Sequence, residues 1–124
     1  DDAGDVNQIL AGRADAGRVF ARARATPGAW LGFSTITRLE ALGFAGLTPV
    51  DAEALAALLA QFNEVPVLPA IIDEAIRLRR LCRMKTPDAI IAATAPLQGA
   101  QLVTRNAADF RKAPPLAVLD TADF

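Results

Sequence analysis

Apolar positions along this chain fall into short β-branched runs separated by longer stretches of helical spacing. That alternation points to an α/β domain. Trp30-Leu-Gly-Phe-Ser-Thr-Ile36 suits a buried strand, and Thr37-Arg-Leu-Glu-Ala-Leu-Gly43 continues as one or two helical turns. Leu102-Val-Thr104 and Leu116-Ala-Val-Leu119 are further short strands, and Val65-Pro-Val-Leu-Pro69 fits only a sheet edge because its prolines cannot donate to a ladder. Ala14 to Ala25 is helix-prone and ends at Thr26-Pro-Gly28. Thr48-Pro49-Val-Asp51 opens a second helix, whose apolar positions are Val50, Ala54, Leu58 and Phe62. Ile72, Ala75, Ile76 and Arg79 mark a third, running to about Met84. A fourth opens at Thr86-Pro87-Asp88, with Thr86 as N-cap and Pro87 in the first helical position. It continues through an almost uninterrupted apolar run, and Pro96 should kink or end it before Gly99.

Carboxylates lie at the junctions of these elements. Glu40 sits early on a helix just past a strand, and Asp109 follows a short strand by a few residues. Asp88 occupies the first turn of the apolar helix, and Asp2-Ala-Gly precedes another helical stretch. Strand ends are where open α/β sheets place functional groups. For Asp88 two readings stand side by side. It complements the helix dipole, an effect of about 0.3–1 kcal/mol, or it projects into a cleft and holds a metal.

Composition narrows the chemistry. The 124 residues suffice for one domain with one core, just over half are hydrophobic, and about a fifth are charged, so disorder is excluded. No apolar run reaches the ~20 residues of a membrane span, no signal-peptide pattern is visible at the start, and a cytoplasmic location is the default. The lone Cys82 forms no internal disulfide and reads as a structural thiol. Histidine is absent, which removes Ser-His-Asp and Cys-His catalysis and His-ligated zinc. Proton transfer and metal binding fall to carboxylates, hard oxygen ligands suited to Mg²⁺ or Mn²⁺. The net charge of −1 hides an uneven distribution: Arg77, Arg79, Arg80, Arg83 and Lys85 crowd one helix end and lead directly to Asp88. They form either a solvated helix terminus, which the dipole favours, or a phosphate-binding rim that Arg105 and Arg111 extend. There is no Tyr, and six Phe and one Trp mostly fit core positions, so backbone recognition is better supported than base readout.

Taken in order, Ser34-x-x-Thr37-x-x-Glu40, Pro87-Asp88-Ala-x-Ile91-Ala92-Ala93 and Val103-Thr-Arg-Asn-x-x-Asp109-Phe110, followed by the Leu116–Leu119 strand, resemble a PIN-domain ribonuclease of the VapC type, the toxin half of bacterial toxin–antitoxin pairs. The resemblance covers nearly the whole chain. It implies a single three-layer α/β/α domain over residues 1–124, with a small, mostly parallel sheet and an acidic site for Mg²⁺ or Mn²⁺. Asp2, Glu40, Asp88 and Asp109 would be the catalytic acids, with Asp2 and Asp88 as direct metal ligands and Thr104 and Asn106 as polar support. Arg80, Arg83, Lys85 and Arg105 would contact RNA phosphates. It also implies a cognate antitoxin and a homodimer.

The family's first acid ends an opening apolar strand, and here the sequence departs from the pattern. Asp1-Asp2-Ala-Gly-Asp5-Val-Asn7-Gln8 has no apolar lead-in, and polar Asp5, Asn7 and Gln8 stand where the resemblance expects an apolar helix face. Asp2 is the better register for that acid and Asp5 the second. The opening strand is therefore expected to be missing or altered, residues 1–8 to be poorly ordered, and the sheet to lack one strand. A catalytically weak PIN-like module that only binds a partner is the main alternative. An aspartyl-nucleophile phosphotransferase is disfavoured by the lack of a DxD-like strand end, and a purely structural domain would leave the acids scattered.

Overall fold

The computed structural model describes residues 7–114 and 116–124. Five strands form one sheet: β1 (Asn7–Leu10), β2 (Trp30–Ser34), β3 (Asn63–Val65), β4 (Gln101–Thr104) and β5 (Val118–Asp120). Every pairing is parallel and the spatial order is β3-β2-β1-β4-β5. The chain winds outward from β1 through β2 to β3, then crosses back to β4 and β5. The reversal lies between β1 and β4, which makes the carboxyl ends of those strands the switch-point crevice of an open parallel sheet.

Among the described residues six α-helices cover the sheet: α1 (Ala16–Arg24), α2 (Thr35–Leu42), α3 (Pro49–Leu59), α4 (Pro69–Cys82), α5 (Thr86–Leu97) and α6 (Ala107–Arg111). A final 3₁₀ turn spans Thr121–Asp123. Neighbouring strand residues point to opposite faces and feed two cores. Ile9 and Leu102 pack with Ile71, Ala75 and Leu78 of α4 and with Ile91 and Ala92 of α5. Leu10, Val103, Leu31 and Phe33 pack with Val19 of α1, Leu59 of α3 and Phe62. Helices on both faces of a parallel sheet give the three-layer α/β/α arrangement.

The first strand corrects the expectation of a helix and of a missing strand. Asn7–Leu10 is the central strand, with Asn7 opposite Trp30 and Gln8 opposite both Leu31 and Gln101. A period-2 strand turns Ile9 and Leu10 to opposite faces and buries them in the two separate cores, whereas a helix would set them only about 100° apart. Asn7 and Gln8 are therefore ordered, while the expectation for positions 1–6 lies outside the described residues.

Other boundaries shift for local reasons. β2 ends at Ser34, whose Oγ accepts from the Ile36 amide at 3.2 Å, so α2 starts two residues earlier than the sequence suggests. Thr48 caps α3 as expected, accepting from the Asp51 amide at 3.1 Å. Thr86, by contrast, lies inside α5 as its first residue. Lys85 flanks it without a side-chain cap. The edge strand is Asn63–Val65 rather than 65–69, because Pro69 opens α4. β5 is displaced to Val118–Asp120. Val50 of α3 is 78% exposed and the buried position is Leu59; in α4 Ile71, Ala75 and Leu78 are buried while Ile72 and Ile76 face outward.

The end of α5 matters most for the site. Gly99 adopts φ 58°, and the amides of Gly99 and Ala100 bond back to the carbonyls of Pro96 and Ala95 at 3.0 and 2.9 Å. This left-handed cap reverses the chain directly into β4. With so short a connection α5 must run antiparallel to β4. Its first turn, carrying Asp88, is thereby delivered to the carboxyl edge of the sheet.

Candidate acidic site at the carboxyl edge

Three of the four sequence-predicted acids share that edge. Glu40 lies on α2, which leaves β2 without an intervening loop, and its side chain is exposed. Asp88 is the third residue of α5 and half-buried, and Asp109 is exposed on α6, a few residues past β4. Burial pushes the Asp88 carboxyl up from its ordinary value, the Asp109 charge pushes it further, and Lys85 and Lys112 pull the other way. Burial likewise raises Glu40, and the Asp88 charge adds to it. Glu40, Asp88 and Asp109 are thus linked electrostatically in series, with Asp88 in the middle.

The supporting polar residues act on the backbone. The buried Thr104 hydroxyl accepts from the Asn106 amide at 3.0 Å, and the Asp109 amide donates to the Asn106 carbonyl at 3.1 Å. Together they shape the β4–α6 turn that presents Asp109; the Asn106 side chain makes no capping bond. Thr37, one helical turn before Glu40, is buried, and among the described residues its hydroxyl has no hydrogen-bond partner. Asp2 and Asp5, the two registers for a fourth acid, lie outside the described residues.

The basic cluster divides by role. Arg77 pairs bidentately with Glu74 at 2.7 and 2.8 Å, and Arg79 donates to the Met84 carbonyl at 3.2 Å, closing the end of α4. Arg80, Arg83 and Lys85 are exposed and make no ion pair among the described residues, and Lys85 lies near enough to Asp88 to lower its pKa. Arg105 is engaged: its Nε and Nη2 donate to the Asp15 carboxylate at 3.2 and 2.8 Å. Asp15 was not singled out by the sequence reading. Its one signal is an Asp just ahead of a helix, which reads as an ordinary cap.

The donor chemistry fits a hard divalent cation, because the site offers only carboxylate oxygens whose mutual repulsion such an ion would relieve. Among the described residues no three of His, Cys, Asp or Glu are gathered tightly enough to form a closed ligand set. What they supply is three carboxylates at one edge of the sheet, coupled through Asp88.

Fold and site together define a three-layer α/β/α domain with carboxylates gathered at the switch point of a parallel sheet. Within that class the chain belongs to the PIN-domain family, whose family model matches residues 7–114. Solved structures agree. A toxin–antitoxin complex from Klebsiella pneumoniae superposes with a TM-score of 0.68 at 28% identity, covering 90% of this chain and 95% of that one. VapBC-1 from nontypeable Haemophilus influenzae gives 0.75 at 18% identity over 92% and 97%. DNA-bound VapBC from Salmonella typhimurium gives 0.74 at 18% over 93% and 98%. No curated protein matches the chain at a significant level.

Proposed function

We propose that this chain is a Mg²⁺- or Mn²⁺-dependent endoribonuclease and acts in the cytoplasm as the toxin of a toxin–antitoxin pair. The observation that carries the reading is the electrostatic coupling of Glu40, Asp88 and Asp109 at the carboxyl edge of a PIN fold. Similarity to complexes described as toxin–antitoxin and VapBC supports the biological role.

The Asp2 and Asp5 candidates precede β1, which runs from the amino to the carboxyl edge, and lie outside the described residues. Asp88 would hold the ion. Bound there, it would lower the pKa of a coordinated water and neutralise phosphate charge. Glu40 and Asp109 flank Asp88 and would orient the attacking water by hydrogen bonding. Lys85, with Arg80 and Arg83 on the neighbouring helix end, would hold the phosphate backbone without reading bases. An antitoxin segment carrying Arg would suit the same carboxylates, since guanidinium pairs bidentately with them. The chain would act as a homodimer.

That no closed ligand set forms among the described residues favours one second reading, a PIN-like module that binds a partner and cleaves weakly or not at all. Calorimetric titration with Mn²⁺, alongside cleavage of mixed-sequence single-stranded RNA with Mn²⁺ or with chelator, separates the two. A nuclease binds Mn²⁺ and cuts RNA only when the ion is present. A chain that neither binds Mn²⁺ nor cuts RNA is the binding module.

A further inference from the structure

Asp15 is an unusual helix-start residue. It stands at the N-cap position of α1 yet makes no side-chain capping bond, and it holds a left-handed backbone at φ 63°, where non-glycine residues are uncommon. An Asp at this position ordinarily turns its carboxylate onto the helix amides. Here the carboxylate turns away. Its Oδ1 accepts from Arg105 Nη2 at 2.8 Å, and its Oδ2 accepts from Arg105 Nε at 3.2 Å and from the buried Thr121 hydroxyl at 2.8 Å. The Asp15 side chain is 9% exposed, and Arg18 approaches it only loosely, at 3.7 Å. These bonds span 90 and 106 residues of sequence. They fasten three separate segments at the carboxyl edge: the β1–α1 turn, the β4–α6 turn and the C-terminal 3₁₀ turn.

We infer that Asp15 is a positioning residue for the acidic site, acting through Arg105 to fix the turn that presents Asp109 to Asp88. Arg105 sits between Thr104 and Asn106, the two residues whose backbone and hydroxyl contacts shape that turn. Two charge-assisted bonds from Arg105 to the Asp15 carboxylate, which the Thr121 hydroxyl holds from the C-terminal segment, tie that turn to the start of α1. The C-terminal segment has a second anchor, because Arg22 stacks 4.2 Å over the Phe124 ring. Loss of Asp15 therefore falls chiefly on the β4–α6 turn. This role rests on the nuclease reading for its consequence, but not for its mechanics.

Asp15→Ala is the direct test, with Arg18→Ala as the control that removes the loose pair and a 5.8 Å approach to the Phe124 ring but leaves the Arg105 and Thr121 bonds to Asp15. Amide hydrogen exchange without metal should accelerate in residues 105–110 for Asp15→Ala and stay at the parental level for Arg18→Ala. In the folded variant, Mn²⁺ affinity should fall about tenfold, as when a partner that orients a metal-site group is lost. RNA cleavage should fall in kcat while KM holds, and Asp15→Asn, which keeps an acceptor oxygen, should recover part of each effect. If Asp15→Ala does not fold, Arg105→Met removes both Arg105–Asp15 bonds from the exposed side, leaves the Thr121 bond, and must give the same pattern at residues 105–110. Parental exchange at 105–110, acceleration spread evenly over the whole chain, or a loosened turn with parental Mn²⁺ affinity would each overturn the role. A parent chain that binds no Mn²⁺ sinks the nuclease reading instead, and exchange at 105–110 then decides alone whether Asp15 holds the turn.

Discussion

Asp88 is the residue on which a structural and a chemical role can be told apart. As a first-turn acid it complements the dipole of α5, and as the half-buried middle member of the acidic series it is held in a repulsive field. Asp88→Asn keeps the size of the side chain but removes the charge that a hard divalent ion requires. Stability should change by about 1 kcal/mol or less, or rise as the repulsion from Asp109 disappears. Metal-dependent RNA cleavage should nonetheless fall by orders of magnitude. Denaturant melts read beside cleavage rates in matched Mn²⁺ check this. If Asp88 only caps the helix, both quantities shift modestly and together.

At the scale of elements, α3 shows how far periodicity alone carries. Four-residue spacing nominates Val50, Ala54, Leu58 and Phe62 as its inward face, yet Val50 is 78% exposed and Leu59 is 3% exposed. A helix preceded by a capped loop is rotated by the sheet it lands on. Here Phe33 and Phe62, in edge-to-face contact at 6.1 Å, help form the cluster into which Leu59 packs. Leu59→Ala should accordingly cost about 2–5 kcal/mol in urea unfolding, from lost burial plus the cavity left behind. Val50→Ser should leave the midpoint within experimental scatter. Equal losses at the two positions would mean that α3 packs in the register that spacing suggests.

Over the whole molecule, the acids at the carboxyl edge give stability a two-stage response to pH. Glu40 and Asp88 have raised values in the fold, so their protonated forms are favoured there, and acidification from neutrality first relieves repulsion and stabilises the chain. Asp15 has the opposite sign. The Thr121 hydroxyl and the Arg105 guanidinium hold it below the ordinary carboxylate value, so its contribution is complete above about pH 4 and is lost as pH falls further through its folded value. Unfolding free energy measured against pH should therefore rise on moving from neutral toward the carboxylate range and drop below it. Asp88→Asn should flatten the rise, and Asp15→Asn should flatten the drop. A profile unchanged by either substitution would contradict the assignment of these limbs.

The sequence by itself determined the class of fold and which of the described carboxylates come together at one edge of the sheet. β-branched runs alternating with helical spacing specify strands and helices through local geometry, and motifs within a few residues of a strand end land at the carboxyl edge once the sheet is parallel. Glu40, Asp88 and Asp109 were legible for that reason, as were the caps at Thr48 and the break near Pro96. Tertiary structure alone decided three things. The central strand could not be read at Asn7–Leu10, because a four-residue segment with two polar positions becomes a strand only when neighbours on both sides supply its hydrogen bonds. The exposed faces of α3 and α4 were set by the clusters they pack into rather than by spacing. The Asp15–Arg105–Thr121 clasp was invisible because its partners lie 90 and 106 residues apart, and no local rule links positions that only folding brings together.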